Sequence, residues 1–394
     1  MEQIKVIGSE IGLVVRYYHL GRYQEGFRLY ASGLIGTLLV WLMPFLDWVE
    51  AKLSYYYYYF LGRPLMPFSA AIDPMNQCNL ACPLCPTGAG KLVGNIAKMP
   101  LSLFKSAVLS LGNNVRRIAL FNWGEPFLSP EIFPMIKVLK GHAKYVEIHS
   151  NFSFVKQDKF FEDLARSGLD RLILSIDGAS QESFEKYRVG GNFELVIDNI
   201  KRLKAVQTKL NLKTTKIFWK MVVSRHNEHE VLKAKSMARD LGVLFALSSI
   251  ILGDMDVDTE FDSNFADRKK TWLSTNPFFV KRHYRSSRMS QRRGVCKHLF
   301  ADPTIDPSGD VFPCGNLIRK ENAFGNIRDQ KFKDIWMNEK FTFSRNLFIK
   351  NAPLDFKHET VCSRCNIYEH RNRESPILQG KKSEGVLGNR LCDT

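Results

Sequence analysis

From Ser69 onward the chain alternates short apolar runs with amphipathic stretches, and that alternation restricts the fold more than any other feature. A strand ends near Ala71-Ile72-Asp73-Pro74, and further runs read as strands at Arg117–Asn122, Tyr145–Ser150, Arg171–Ile176, Lys216–Val223 and Val243–Ile250. Continuous apolar runs of this length suit strands covered on both faces, as in parallel sheets. Between them, Phe193, Val196, Ile197, Ile200 and Leu203 recur at helical spacing, His229–Leu241 reads as a helix, and Ser129-Pro130 reads as the cap of a helix carrying Ile132, Phe133, Ile136 and Leu139. Six strands interleaved with helices specify a parallel α/β architecture. A closed eight-stranded barrel would need more chain than this segment has.

Directly after the first strand, Cys78-Asn79-Leu80-Ala81-Cys82-Pro83-Leu84-Cys85 places three thiols at i, i+4 and i+7. Thiolates are soft ligands, and this spacing on a loop lets three of them converge on one iron–sulfur cluster. A four-iron cluster needs four ligands, so three protein thiolates leave one iron open to a substrate or cofactor. The competing readings are a partial zinc site, which would normally bring a fourth local Cys or His, and three unrelated core cysteines.

Four more cysteines form a second set: Cys296, Cys314, Cys362 and Cys365. Ile305–Phe312 reads as a hairpin with a Ser308-Gly309 turn that delivers Cys314, and Cys362-x2-Cys365 is a chelating pair. A structural zinc is the rival occupant. Cys392 alone lies outside both sets. Eight cysteines, grouped in a chain of 394 residues, favour metal ligation over a disulfide framework.

The Cys-x3-Cys-x2-Cys loop resembles the signature of the radical S-adenosylmethionine (SAM) enzymes. The resemblance implies a partial, six-stranded (β/α)6 TIM-like barrel with a [4Fe–4S] cluster at Cys78, Cys82 and Cys85. SAM would chelate the open iron, and one electron would cleave it to methionine and a 5′-deoxyadenosyl radical that abstracts hydrogen. Trp123-Gly124-Glu125-Pro126 resembles the family's Gly-Gly-Glu-Pro segment at the SAM amino group, with Trp123 in place of the first glycine. Ser150-Asn151 stands where the family often has Thr-Asn-Gly, with Phe152 departing from it. Ser175, Asp177 and the downstream Arg188 resemble groups used on SAM's ribose and carboxylate, with strand-end capping as the structural alternative for Ser175 and Asp177. The cofactor-binding residues expected from the resemblance are therefore Gly124, Glu125, Pro126, Asn151, Ser175, Asp177 and Arg188. No segment of the sixth strand matches the family's adenine contact. The second cysteine set, with Gly309, Gly325-Asn326-Ile327 and Asp334-Ile335-Trp336, resembles the auxiliary-cluster extension called SPASM or, when shorter, twitch. Only Cys392 follows the last pair, so one auxiliary [4Fe–4S] cluster is expected.

Residues 1–68 differ in character. An uncharged run from Leu29 to Leu46, with Trp41, Trp48 and Tyr55–Tyr59 nearby, is near the lower length limit of a membrane span and rich in interface-type aromatics. It reads as a helical extension lying in one leaflet face, with a buried hairpin packed on the main domain as the alternative and a true span as the third reading. Met1–Glu10 has no secretory character. The expected setting is cytoplasmic, at the inner face of the membrane if the extension binds lipid.

The formal charge is +16. Arg268, Lys269, Lys270, Lys281, Arg282, Arg285, Arg288, Arg292, Arg293 and Lys297 fall in a stretch with no acidic residue. It separates a barrel over residues 69–255 from an auxiliary domain over 296–394, as a basic linker over 256–295. Such a segment points to an anionic substrate that carries a phosphate, small or lipid- or sugar-linked, with a solvated, mobile linker as the alternative reading. The function expected is hydrogen abstraction from that substrate, with the auxiliary cluster assisting oxidation or placement and flavodoxin or ferredoxin as reductant. Dehydrogenation, epimerisation and carbon–carbon bond formation stay open. A peptide-modifying maturase is the alternative enzyme. A nucleic-acid-binding protein with structural metal sites is the alternative of another class. No nucleic-acid partner is expected, because the basic stretch contains no recognisable binding module.

Overall fold

The computed structural model describes residues 49–90, 97–142, 144–212, 215–250, 252, 265–280, 295–317, 319–349 and 351–365. Six parallel strands form the sheet's main part: β1 (Ser69–Ile72), β2 (Arg117–Ala119), β3 (Tyr145–Ser150), β4 (Arg171–Ser175), β5 (Lys216–Val223) and β6 (Leu244–Ser249). Each pairs with its sequence neighbour. Consecutive parallel pairing with right-handed crossovers puts the connecting helices on one face, and the strand pattern shows which face that is. On β3, Val146, Ile148 and Ser150 are buried while Tyr145, Glu147 and His149 are half-buried. The first two join Leu172, Leu174, Trp219 and Met221 in a core with Leu164, Ile200, Leu203 and Ala234 from the helices. The opposite face lines the lumen of the partial barrel.

The sheet does not stop at β1. β7 (Thr304–Ile305) pairs parallel to β1, β8 (Asp310–Phe312) turns back on β7, and β9 (Gly325–Asn326) pairs with β8. One nine-stranded sheet results, in the order β6-β5-β4-β3-β2-β1-β7-β8-β9. Ile305, Val311, Phe332, Trp336 and Phe341 join the same core as the barrel residues. The hairpin read at Ile305–Phe312 is present. Gly309 adopts φ 91°, which favours glycine, and Asp306 Oδ1 accepts from the backbone N–H of Ser308 and Asp310.

Several boundaries differ from the sequence reading. β2 ends at Ala119, because Phe121 and Asn122 leave the sheet for the loop above it. The helix after Ser129-Pro130 begins at Ile132 with no side-chain cap, and Ser129 is instead the end of a 3-10 turn over Pro126–Leu128. The His229–Leu241 stretch opens with a 3-10 turn, and its α-helix runs from Val231 to Asp240.

Residues 51–61 are helical. Tyr58 donates its hydroxyl to Asn346 Oδ1 at 2.8 Å, Tyr55 donates to the Phe348 carbonyl at 3.2 Å, and both rings meet Phe300 edge-on. These two aromatics, read from sequence as bilayer-interface residues, instead pack on the C-terminal part of the chain. Leu53, Phe60 and Leu61 of the same helix are exposed. Among the described residues no helix is long and apolar enough to cross a membrane. The uncharged run 29–46 and Trp48 lie outside the described residues, as do Lys281–Arg293 of the basic stretch and Cys392.

Candidate active site

The loop after β1 carries Cys78, Cys82 and Cys85, all free thiols. Cys82 is buried and the other two are half-buried. The chain folds back tightly here: a Cβ on Gly88 would stand 2.3 Å from the Cys82 nitrogen, so only glycine fits. Two sulfurs receive donors. Cys78 Sγ accepts from Leu80 N at 3.5 Å and Asn151 Nδ2 at 3.6 Å, and Cys82 Sγ accepts from Arg188 Nη1 at 3.7 Å. Burial pushes the Cys78 thiol up to about 11 and raises Cys82 as well, against the pull of Arg188. Partly desolvated thiols supplied with N–H donors suit a bound metal centre, whose charge holds the ligands as thiolates. Among the described residues no three Cys, His, Asp or Glu side chains are arranged to hold a single metal ion. Three thiols from one loop, close enough to raise one another's pKa, are the donor set of a cluster that leaves one iron open.

The Gly124-Glu125-Pro126 segment is stitched to this loop. Glu125 N donates to Gln77 O at 2.8 Å, and a Cβ on Gly124 would stand 1.8 Å from the Met75 carbonyl oxygen. Pro126 opens the 3-10 turn. The Glu125 carboxylate is buried and fully engaged. It accepts from Ser150 Oγ at 2.8 Å, Asn151 N at 2.8 Å and Phe127 N at 3.2 Å. Burial pushes it up to about 7 although these donors favour the ionised form. Glu125 thus ties the loop to the end of β3, while the Glu125 and Pro126 carbonyls accept from Leu128 N and Ser129 N within the 3-10 turn. Trp123 is accommodated because its φ is not positive. Its backbone N–H donates to Asp73 Oδ2 and its carbonyl accepts from Thr87 Oγ1.

Asn151 links three parts of the site: its side chain donates to Asn79 Oδ1 at 2.9 Å and to Cys78 Sγ, and its Oδ1 accepts from Ser153 N at 2.8 Å. Phe152 keeps φ 55°, a left-handed conformation, where related segments have glycine. Its ring is fully buried beside Phe127, Phe154 and Phe161, which offsets the backbone strain.

Asp177 accepts from Val222 N at 2.6 Å and pairs with Arg188 Nε at 2.7 Å. Burial works against the Arg188 charge, but Asp177 and Cys82 beside it hold the guanidinium protonated. The following helix is capped by Ser180, so neither Ser175 nor Asp177 is a helix cap. Ser175 is buried at the end of β4, level with Lys220 of β5. Beyond the ends of β5 and β6, Val223, Ser249, Ile250, Leu273 and Phe279 line a small pocket.

In the second set, Cys296 precedes a short helix, Cys314 follows β8 by two residues, and Cys362 and Cys365 lie in and after a 3-10 turn. Burial pushes Cys296 and Cys362 up to about 12 and Cys314 well above its ordinary value. Each of these three is raised further by neighbouring thiols of the set, Cys365 among them, so the fold brings all four together. Gly315 leans on the first site: a Cβ there would stand 2.6 Å from Asn122 Oδ1, directly before Trp123-Gly124-Glu125.

Sequence reasoning missed a polar chain in the lumen made of Glu147, His149, Arg171 and Lys220. The signal was present as charged residues at alternate positions of otherwise apolar strands. One supposed member of the basic stretch is neutralised, since Lys297 Nζ pairs with Asp302 at 2.9 Å.

A parallel partial barrel with a three-cysteine loop at the C-terminal end of its first strand, extended by a four-cysteine segment on the same sheet, defines an iron–sulfur enzyme of the SAM-cleaving class. Residues 72–219 match the Radical SAM superfamily, and residues 296–366 match the SPASM iron–sulfur cluster-binding domain. The chain belongs to the radical SAM superfamily, and carries a SAM-binding [4Fe–4S] cluster with a C-terminal auxiliary cluster. It is 26% identical to the AdoMet-dependent heme synthase of Methanosarcina barkeri, over 66% of this chain and 79% of that protein. It is 23% identical to the mycofactocin maturase MftC of Mycobacterium ulcerans, over 66% of this chain and 72% of that one. The crystal structure of Streptococcus suis SuiB bound to S-adenosylmethionine shares the fold, with a TM-score of 0.54 at 14% identity over 74% of this chain and 70% of SuiB.

Proposed function

We propose that this enzyme abstracts hydrogen from an anionic small molecule bound in the barrel lumen, between its two cysteine sets. The observation that carries this reading is the contact of Gly315 with Asn122, which brings the loop of Cys314 against the segment tied to Cys78. When bound, the cluster at Cys78, Cys82 and Cys85 together with SAM supplies the electron and the carbon radical for hydrogen abstraction. The protein's own residues place and enclose that chemistry. Gly124, Glu125, Pro126 and Asn151 fix the loop beside the cluster cysteines. Asp177 holds Arg188 through Nε, and Arg188 turns Nη1 toward Cys82, so the guanidinium edge beside the cysteine loop can meet a carboxylate of SAM. The set Cys296, Cys314, Cys362 and Cys365 would hold the auxiliary cluster beside the substrate, to assist its oxidation or placement.

The anionic class is supported by the formal charge of +16 and by the lumen lysine Lys220, whose hydrogen-bond partner is an imidazole rather than a carboxylate. It agrees with the relative named as a heme synthase, since heme carries carboxylates. A flavodoxin or ferredoxin is the proposed reductant.

The test is 5′-deoxyadenosine formation by anaerobically reconstituted enzyme with SAM and dithionite, across carboxylates, sugar phosphates and short peptides. Stimulation above the substrate-free rate by an anionic small molecule is the expected result. Stimulation by peptides alone would replace this reading with a maturase.

A further inference from the structure

The lumen face of the sheet holds a connected chain of polar side chains from three strands. Arg171 Nη1 on β4 donates to Glu147 Oε2 on β3 at 2.8 Å. Glu147 Oε1 lies 2.8 Å from His149 Nε2, and His149 Nδ1 lies 3.4 Å from Lys220 Nζ on β5. An ammonium has only hydrogens to offer, so His149 Nδ1 is the acceptor. The imidazole proton then sits on Nε2 and is donated to Glu147. Burial, reinforced by Lys220, holds the imidazole down at about 4, so it is neutral. Phe121 stacks on its ring at 3.6 Å, and Phe218 lies against the Arg171 guanidinium at 4.5 Å, so apolar walls close two sides.

The charges do not balance. Arg171 cancels Glu147, His149 is neutral, and the neighbouring Arg188 cancels Asp177. Lys220 is left over: its hydrogen-bond acceptor among the described residues is a neutral imidazole nitrogen. Burial and Arg188 work against its charge, and Asp177 and Glu147, each already paired, act on it only from beyond ion-pair distance. A mostly desolvated cation without a directly paired counter-ion destabilises the fold that contains it. Such an arrangement is expected where a ligand brings the missing charge, since functional groups are often held at a cost in stability.

We propose that Lys220 anchors a carboxylate of the substrate in the lumen below the Cys78–Cys85 loop, with His149, Glu147 and Arg171 as positioning residues. This rests on the anionic-substrate reading above and narrows it. The surplus is a single charge, which a carboxylate neutralises, whereas a phosphate dianion would leave a net negative lumen. SAM carries a carboxylate too, so the test must separate the two sources.

Thermal unfolding of the reconstituted holoenzyme, with and without saturating SAM, is followed during titration with acetate, succinate and benzoate. Inorganic phosphate and chloride at matched ionic strength serve as controls. A ligand that binds only the folded state raises the midpoint saturably, so carboxylates are expected to raise the wild-type midpoint by a few degrees in the presence of SAM. Without added carboxylate, Lys220→Met is expected to unfold at or above the wild-type temperature and to lose the carboxylate response. Lys220→Arg is expected to keep part of that response.

A Lys220→Met enzyme that responds like wild type overturns the proposal. So does a larger response to phosphate than to carboxylates. A carboxylate response that vanishes once SAM is present assigns Lys220 to SAM and also overturns it. If Lys220→Met does not fold, Lys220 is a structural group and the proposal falls. Stimulation of 5′-deoxyadenosine formation by phosphorylated compounds but not by carboxylates would remove this assignment while leaving the anionic-substrate reading intact.

Discussion

Replacing Glu125 by Gln tests whether this carboxylate holds the cluster loop to the barrel. The side chain is 2% exposed and accepts three hydrogen bonds, from Ser150 Oγ, Asn151 N and Phe127 N. Glutamine keeps the shape and one oxygen, which can still serve Ser150 and Phe127. Its amide nitrogen then faces the Asn151 N–H, donor against donor. One charge-assisted bond is lost and two buried donors are left unmatched, at a cost of about 2–4 kcal/mol. For a cooperative unit of this size, unfolding entropy converts that to a midpoint lowered by about 3–6 °C. The comparison belongs near pH 8, because burial pushes Glu125 up to about 7 and the wild type must carry the carboxylate. Asn151 also bonds Asn79 and Cys78, so Glu125→Gln should reconstitute less iron at the first site and form less 5′-deoxyadenosine. Differential scanning fluorimetry and iron analysis read both effects. A variant within 1 °C of wild type that keeps full SAM cleavage would refute the role given to Glu125 (roughly the smallest shift that the lower estimate excludes).

Three further outcomes are expected. Burial pushes the Asp73 carboxyl up from 3.8 to about 7 and Asp306 near it up to about 6. A raised folded value favours the protonated form, so the stability Asp73 contributes is complete below its ordinary value and is lost as pH rises through about 7. Asp73→Asn should therefore gain on wild type in urea unfolding as pH is raised from 6 to 8, to about the extent linkage allows, and a pH-independent difference would contradict this. Replacing Cys362 and Cys365 together by Ala should remove the auxiliary iron and impair substrate turnover while some uncoupled SAM cleavage survives; unchanged turnover would deny that cluster a role. Residues 1–68 should confer reversible affinity for liposomes, given the uncharged run and the exposed Leu53, Phe60 and Leu61, and equal flotation of full-length protein and a chain starting near Pro64 would refute it.

Much of this architecture was legible because its signals are local. Lys216–Val223 was readable to the residue as β5, since six of its eight positions are apolar and a helix begins soon after. The two cysteine sets were readable because ligand spacing is itself a local pattern. Pairings between distant segments were not. Nothing in Thr304-Ile305 announces that two residues will hydrogen-bond to β1 and make the auxiliary segment a continuation of the barrel sheet. Tyr55 and Tyr58 carry the composition of a membrane interface, and only their partners Phe300, Asn346 and Phe348 show them as packing groups. Glu125 was recognisable by resemblance, but the three donors that occupy it come from a strand end and a turn that only the fold brings together. Lys220 was hidden by its strand, whose apolar neighbours read as ordinary sheet core.

The most direct test of the central claim compares wild type with the Cys78→Ala, Cys82→Ala, Cys85→Ala triple variant after anaerobic reconstitution, measuring iron, sulfide and 5′-deoxyadenosine formed from SAM under dithionite. Two four-iron clusters predict about eight irons per wild-type chain and about four in the variant, with SAM cleavage confined to the wild type. Reductive SAM cleavage retained by the triple variant would contradict the account.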